Sequence, residues 1–278
     1  KRFTPERVKK MRELLNAGIA KAKTPAEKFR VTMANESLIL FELYMKMRWD
    51  LAEGRFAKLD SDAEAWIGRS HAMAERYRNQ YAFSARWYGS GGVWGNNNGV
   101  DFFSSWYKGT YDDAARIAKF YNVLTSPPIR QWRFETDKDK KGESLGWTKP
   151  DFDDKAWKTT DPAVDSWSSL GCHNYFGCMG YRTSVQIPAA PAGKKTYLWV
   201  GATDGSAKLF VNGKHVSYIA PDGKSADEFT GYMQPASWNI SEAVKAGENQ
   251  ITLLCERRDV NEIGTGGLMA PAVIYRER

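Results

Sequence analysis

One short stretch in the second half of the chain gathers an imidazole, an amide and two aromatic rings within nine residues. Trp167 is followed by His173, Asn174 and Tyr175. Aromatic faces pack against the C–H patches of a sugar ring, and planar polar groups bond its hydroxyls. These four side chains are therefore candidate carbohydrate-binding residues. The alternative is that they serve only the local packing of their loop.

A second aromatic-rich stretch spans residues 87–107, of which seven are aromatic. Five Gly and three Asn fall between positions 89 and 99, and this composition predicts a loop. Trp94 and Trp106 are candidates for a platform on which a sugar ring stacks. The alternative is a loop that folds back on its own aromatic side chains, or docks them against a neighbouring domain.

The sequence offers no complete catalytic or metal-binding set. Glycoside hydrolysis needs two carboxylates ~5–10 Å apart. The candidates that stand out in the sequence are the clustered Asp151, Asp153 and Asp154. These oxygens could instead hold a calcium ion, although the ligand spacing of a known calcium loop is absent. Glu36 lies on an apolar helix and is expected to pair with a basic residue. The three histidines lack metal-ligand spacing: His71, His173 and His215. We therefore predict no catalytic residue, no metal and no cofactor.

Composition places the chain among core-forming proteins. It has 278 residues, 42% of them hydrophobic and 26% charged, with 11 Trp. That excludes a disordered or collagen-like chain, and no apolar run approaches the ~18 residues of a membrane span. A length of ~150 residues per domain predicts about two domains.

The net charge of +7 belongs to the first part of the chain. Residues 1–125 carry 21 Lys and Arg against 14 Asp and Glu, whereas residues 126–278 carry 19 against 19. The basic residues are interleaved with acids and form no run of five. Solvated helix faces explain this pattern better than a nucleic-acid partner does, so we predict no nucleic acid.

Two features bear on the cellular context. Cys172 and Cys178 could form a small disulfide in an oxidising compartment, leaving Cys255 as a strand thiol. The chain begins Lys1-Arg2-Phe3 without an initiator Met or a signal segment, which suggests a fragment or a processed chain. A targeting signal and other domains could lie upstream of Lys1.

Residues 1–125 are predicted to form a helical bundle. Thr4-Pro5 and the capping boxes beginning at Thr24 and Ser61 open three long helices. The second of these is expected to run to about Glu53. A fourth helix is predicted from about Thr110, with Ala114, Ile117, Tyr121 and Leu124 on its buried face.

Residues 129–278 are predicted to form an antiparallel β-sandwich. Pro127-Pro128 breaks the helical pattern, and short β-type runs with turn signals follow it. Asn212-Gly213 between two such runs is typical of a hairpin with a type I′ turn. The fold class is therefore α+β in two domains, a helical bundle followed by a sandwich.

Five segments then resemble one known family, in its order. They are PDFDDKAWK at 150–158, GYRT at 180–183, VQIP at 185–188, ATDGSAKLFVNGK at 202–214 and NISEAVKAGEN at 239–249. Residues 130–276 resemble the sugar-binding-like domain of glycoside hydrolase family 2. The resemblance implies a jelly roll of the galactose-binding type, with Trp157, Trp199 and Trp238 at core positions.

Residues 1–125 resemble, by pattern and position only, the helical region that follows the catalytic barrel in bacterial α-glucuronidase-like hydrolases. Together the resemblances imply a non-catalytic C-terminal portion of a larger glycoside hydrolase that supports the enzyme and contacts carbohydrate. The implied partners are carbohydrate and an upstream catalytic domain, and the implied location is secreted, periplasmic or cell-surface.

Two other functions stay open on the sequence. The chain could be a self-contained glycosidase whose carboxylate site lies at the junction of the two parts. It could also be an interaction module whose basic helical part docks a protein or a polyanion.

Overall fold

A computed structural model of the chain describes residues 3–77, 108–258 and 266–278. The chain divides into two compact units, which we call the helical unit and the sheet unit. The helical unit comprises residues 1–50 and 58–108, and the sheet unit comprises residues 51–57 and 109–278. The division differs from the expected boundary at 125–129, because residues 51–57 and 109–125 group with the sheet. Whether the two parts fold independently stays a prediction.

Three helices lie in the N-terminal part of the chain. They are α1 (Pro5–Lys21), α2 (Pro25–Ala52) and α3 (Leu59–Arg76). Thr4 caps α1 by accepting a hydrogen bond from the Arg7 amide at 3.3 Å. Thr24 and Glu27 form the predicted reciprocal capping box, since each side chain accepts the backbone N–H of the other at 3.2 and 2.9 Å.

The predicted start of α3 at Ser61 is wrong. The helix begins at Leu59, and Lys58 precedes it without a side-chain cap. A capping box needs Glu64 to reach the Ser61 amide, but Glu64 pairs with Lys108 at 2.9 Å. The Ser61 amide donates to Asp60 instead, at 2.7 Å.

Ion pairs join the three helices of the helical unit. The Arg12 guanidinium meets Glu42 at 2.6 Å between α1 and α2, and Lys46 meets Asp62 at 2.5 Å between α2 and α3. Arg76 pairs with Glu36, as expected for that carboxylate. The arrangement of these helices as a bundle across all of residues 1–125 stays a prediction.

The fourth predicted helix exists but ends early. Helix α4 spans Lys108–Phe120 and buries Ala114 and Ile117. Tyr121 then begins a strand, β1, which pairs antiparallel with the last strand of the chain. Tyr121 and Leu124 therefore do not belong to the helix, because pairing with a strand about 150 residues away takes over from helical periodicity at Phe120.

The sheet unit is built from strands that follow α4. They are β1 (Tyr121–Val123), β2 (Trp132–Asp137), β3 (Lys158–Thr160), β4 (Gly177–Ile187), β5 (Thr196–Val211), β6 (Lys214–Val216), β7 (Tyr218–Ile219), β8 (Ser225–Ala226), β9 (Phe229–Asn239), β10 (Gly247–Arg257), β11 (Gly267–Leu268) and β12 (Ala272–Glu277).

Ten of these strands form one large, curled antiparallel sheet. Its main path runs β1-β12-β5-β10-β4-β2-β3, while β6, β9 and β11 also pair with β5. The long strand β5 is therefore the centre of the sheet. Strands β7 and β8 form a separate pair. An α+β fold with a large antiparallel sheet agrees with the expectation from the sequence.

The predicted hairpin is confirmed between β5 and β6. Asn212 and Gly213 have φ of 52° and 81°, the positive values that a type I′ turn requires at both positions. Below the sheet, one core contains Trp132, Trp167, Trp238 and Tyr181. Aromatic and β-branched side chains that alternate along the strands supply this core, and they fix the register of the sheet.

Candidate functional site

The ring of Trp167 is completely buried, with 0% of its surface exposed. Its Nε1 donates a 2.6 Å hydrogen bond to the Tyr181 hydroxyl of β4. The backbone at Gly267 lies so close that a Cβ there would stand 2.3 Å from that nitrogen. The expectation that Trp167 stacks on a ligand is therefore corrected. Its ring forms the base of the loop, and backbone covers the face that a sugar would need.

His173 and Asn174 lie at the surface of the same loop, and both are exposed. Asn174 takes a left-handed conformation with φ of 54°, which Asn tolerates better than most residues. Neither side chain forms a hydrogen bond with the part of the chain that the structure describes. An imidazole and an amide are thus presented to solvent side by side, each able to donate and to accept.

Tyr175 links these exposed groups to the base of the loop. Its ring meets Trp167 edge to face at a centroid distance of 5.3 Å. Its hydroxyl donates to the Cys178 carbonyl at 2.7 Å, and burial raises the pKa of Tyr175 to about 12. The phenol therefore stays protonated over the physiological range. The loop therefore presents the polar side chains of His173 and Asn174 at its surface. Tyr175 packs beneath them, and Trp167 is buried below Tyr175.

Phe176 extends the aromatic surface of this loop, and the sequence reasoning did not single it out. The guanidinium of Arg257, at the end of β10, lies over its ring at 4.5 Å. Such a cation–π contact orients the ring next to Tyr175. The two other predicted contacts, Trp94 and Trp106, lie outside the described residues.

The aspartate-rich segment at 151–154 performs a structural task. Arg182 is 1% exposed and donates Nε to the Asp154 carboxylate at 2.8 Å. Its guanidinium also lies 5.4 Å from the Phe152 ring. Trp147 and Trp157 pack edge to face at 4.6 Å over Gly180 of β4. The segment therefore covers one face of the sheet through an ion pair and aromatic rings.

Residues 3–77, 108–258 and 266–278 contain no cluster of three carboxylate, histidine or cysteine side chains that could hold a metal ion. Cys172, Cys178 and Cys255 are free thiols. Within the same ranges, each helix is too short or too polar to cross a membrane.

Several solved structures that resemble part of this chain are β-glucuronidases. The Bacteroides uniformis enzyme is 18% identical over 56% of this chain and 18% of its own, with a TM-score of 0.43. That of an uncultured Clostridium species is 15% identical over 57% of this chain and 29% of its own, also with a TM-score of 0.43. A β-glucuronidase described as glycoside hydrolase family 2 is 16% identical over 56% and 17%, at 0.41.

These likenesses are distant and partial. The chain spans less than a third of the length of each of these structures. No protein-family model matches the chain, and no curated protein sequence matches it. TM-scores of 0.41–0.43 carry no argument about the activity of this chain.

Proposed function

We propose that the chain is a non-catalytic portion of a larger glycoside hydrolase, and that its sheet unit binds carbohydrate through the loop at 173–176. The sheet unit would be a jelly-roll sandwich of the galactose-binding type. Its partners would be a poly- or oligosaccharide and a catalytic domain upstream in the same polypeptide. The resemblance of residues 130–276 to the family 2 sugar-binding-like domain supports the enzyme context.

The observation that carries the binding proposal is the pair of exposed polar side chains on a rigid aromatic base. His173 and Asn174 have no partner within the described chain, while Trp167 and Tyr175 beneath them are packed and hydrogen-bonded. Polar groups beside aromatic surface are what a sugar site needs, because the polar groups bond the hydroxyls while the rings pack against the C–H faces of the sugar.

The proposal also sets a location. A protein that acts on polysaccharide meets its substrate outside the cytoplasm, so we propose a secreted, periplasmic or cell-surface setting. Such a setting is oxidising, and Cys172 and Cys178 would then be candidates for a disulfide.

The test is a glycan array of plant and host oligosaccharides, followed by titration calorimetry on each hit. Asn174→Gly removes the amide yet tolerates the positive φ, and His173→Ala removes the imidazole. We expect each change to weaken binding about tenfold, the worth of one good hydrogen bond. His71→Ala, on the exposed face of α3, is the matched control and should leave the affinity unchanged.

Two results would count against the binding proposal. One is a folded wild-type chain that binds no oligosaccharide on the array, which would leave only a supporting role. The other is unchanged affinity in both loop variants, which would place the carbohydrate elsewhere on the chain.

A further inference from the structure

A separate groove of about 280 Å³ lies on the sheet face opposite the core, over β2, β3 and β4. We call it the strand-face groove and define it by Gln131, Arg133, Asp154, Thr159, Arg182 and Ser184. Thr159, Arg133 and Arg182 are successive cross-strand partners on β3, β2 and β4. Because Trp132 and Tyr181 point into the core, these neighbours point away from it.

One carboxylate in the groove is held in place by a buried charge. Arg182 donates Nε to Asp154 Oδ2 at 2.8 Å and Nη1 to Thr252 and to the Trp147 carbonyl. Among the described residues, the other oxygen of Asp154, Oδ1, has only the Arg133 Nε as a neighbouring donor, at 3.4 Å. The carboxylate is therefore fixed in position while one of its oxygens keeps acceptor capacity.

Several polar groups that line the groove with this carboxylate have no hydrogen-bond partner in the described part of the chain. Arg133 is 40% exposed in its side chain and donates Nη1 to the Lys155 carbonyl at 3.1 Å. Its Nη2, the Gln131 amide and the Thr159 hydroxyl bond to nothing in the described residues. The groove thus places free donors beside a free acceptor, with both kinds of group within reach of one small ligand.

The charge of the groove restricts the ligand. Two guanidinium groups face one carboxylate, so the pair of Arg182 and Asp154 is neutral and Arg133 adds one positive charge. An anion drawn to Arg133 would lie against the Asp154 carboxylate, which is 3.4 Å from that guanidinium, and it would bring no donor for Asp154 Oδ1. An apolar ligand would leave all of these groups unpaired. A sugar hydroxyl both donates and accepts, so adjacent hydroxyls satisfy a carboxylate and a guanidinium together.

We propose that the strand-face groove binds one neutral glycosyl unit, with Asp154 and Arg133 contacting adjacent hydroxyls and Gln131 and Thr159 contacting others. The volume lies just below the ~300 Å³ at which small-molecule pockets begin, which suits a single unit. The inference shares the ligand class of the proposed function but rests on different residues from the loop at 173–176.

The test titrates the full chain with methyl glycosides of glucose, galactose, mannose and xylose, and follows side-chain amide signals by NMR. Gln131 reports the groove, and Asn174 reports the loop. We expect at least one glycoside to shift the Gln131 signal at millimolar concentration. Arg133→Ala and Thr159→Ala keep the Gln131 reporter, and each should weaken the binding read at its signal at least tenfold.

Gln186→Ala is the matched control, because Gln186 is exposed on the same face of β4 but outside the groove. It should bind as the wild type does. A Gln131 signal that no glycoside moves would overturn the inference, as would unchanged affinity in Arg133→Ala or tighter binding of glucuronate than of neutral glycosides. Shifts at Asn174 alone would overturn this inference and leave the proposed function standing.

Discussion

Arg182 shows how a single buried charge organises the sheet face. Its guanidinium is enclosed, yet it has a carboxylate, a carbonyl and a hydroxyl as acceptors. A buried cation is tolerated only when its partners compensate for the lost hydration. Asp154, which looked like a candidate acid or calcium ligand in the sequence, is therefore committed to an arginine.

We expect Arg182→Met to lower the free energy of unfolding by about 3 kcal/mol, because the Asp154 carboxylate loses its partner and two buried acceptors lose their donor. Urea denaturation measures this change. Arg133→Met is the matched control, since Arg133 approaches the same carboxylate from a more exposed position, at 3.4 Å. Arg133→Met should lower the free energy of unfolding by less than about 1 kcal/mol. Equal losses in the two variants would show that Arg182 is not the main partner of the carboxylate.

The thiols give a second test at this scale. Burial raises the pKa of Cys178 to about 12, and that of Cys255 well above its ordinary value, whereas Cys172 is half-exposed. Only the thiolate reacts with iodoacetamide. At pH 8 in the native, reduced protein, mass spectrometry should find Cys172 labelled well before the other two. Equal labelling rates for Cys172 and Cys178 would show that β4 is not packed as described.

Among the elements, those defined by adjacent residues were predictable from the sequence. The capping box of α2 and the turn at Asn212-Gly213 depend on hydrogen bonds and dihedral angles within four residues. The start of α3 and the end of α4 were not predictable. Glu64 pairs with Lys108, and Tyr121 pairs with Glu277, so distant partners decide both boundaries.

The candidate loop, too, was predictable from the sequence only in part. Its composition identified polar and aromatic groups together, and His173 and Asn174 are indeed exposed. Composition could not show that Gly266 and Gly267 cover Trp167, because that contact joins residues about 100 positions apart. The groove at Arg133 was missed, since cross-strand neighbours on β2, β3 and β4 are far apart in sequence.

Strand β5 approaches β10 so closely at one glycine that a side chain does not fit. Gly205 has φ of 88°, and a Cβ there would stand 2.3 Å from the Glu256 carbonyl oxygen. Gly223 has a similar φ of 82° but open space around it. In both Ala variants the left-handed backbone conformation should lower the free energy of unfolding by ~1–2 kcal/mol. Gly205→Ala should lower it by about a further 1–3 kcal/mol, because its Cβ clashes with the carbonyl oxygen.

Urea denaturation of the two variants checks this difference. Because the backbone conformation is matched, the gap between them reports the approach of β5 to β10 alone. If Gly223→Ala is as destabilising as Gly205→Ala, the strands are not as close as described.

For the whole molecule, the sheet unit includes a short piece of the N-terminal sequence. Residues 51–57 belong to it, and the Phe56 ring packs edge to face on Trp199 of β5 at 6.0 Å. Arg130 also joins this piece to the unit, through Glu53 at 2.9 Å and Asp161 at 2.6 Å. The sheet unit is therefore discontinuous in sequence.

We expect Phe56→Ala to destabilise the sheet unit by about 3–5 kcal/mol, the usual cost of truncating a buried Phe, since Phe56 is 2% exposed. Phe120→Ala is the matched control in the same unit, because Phe120 is 56% exposed, and its effect should stay within about 0.5 kcal/mol. Chemical denaturation followed by circular dichroism would reveal the loss. A small effect at Phe56 would contradict the assignment of residues 51–57.

We propose that the chain binds carbohydrate without cleaving it. Calorimetric titration of the full chain with neutral and acidic oligosaccharides, with released reducing ends assayed in the same samples, tests both parts of this proposal. We expect saturable binding that weakens in His173→Ala and Asn174→Gly, and no release of reducing ends. Release that follows the amount of folded chain would favour a self-contained glycosidase, and absence of binding across both sets would contradict the claim.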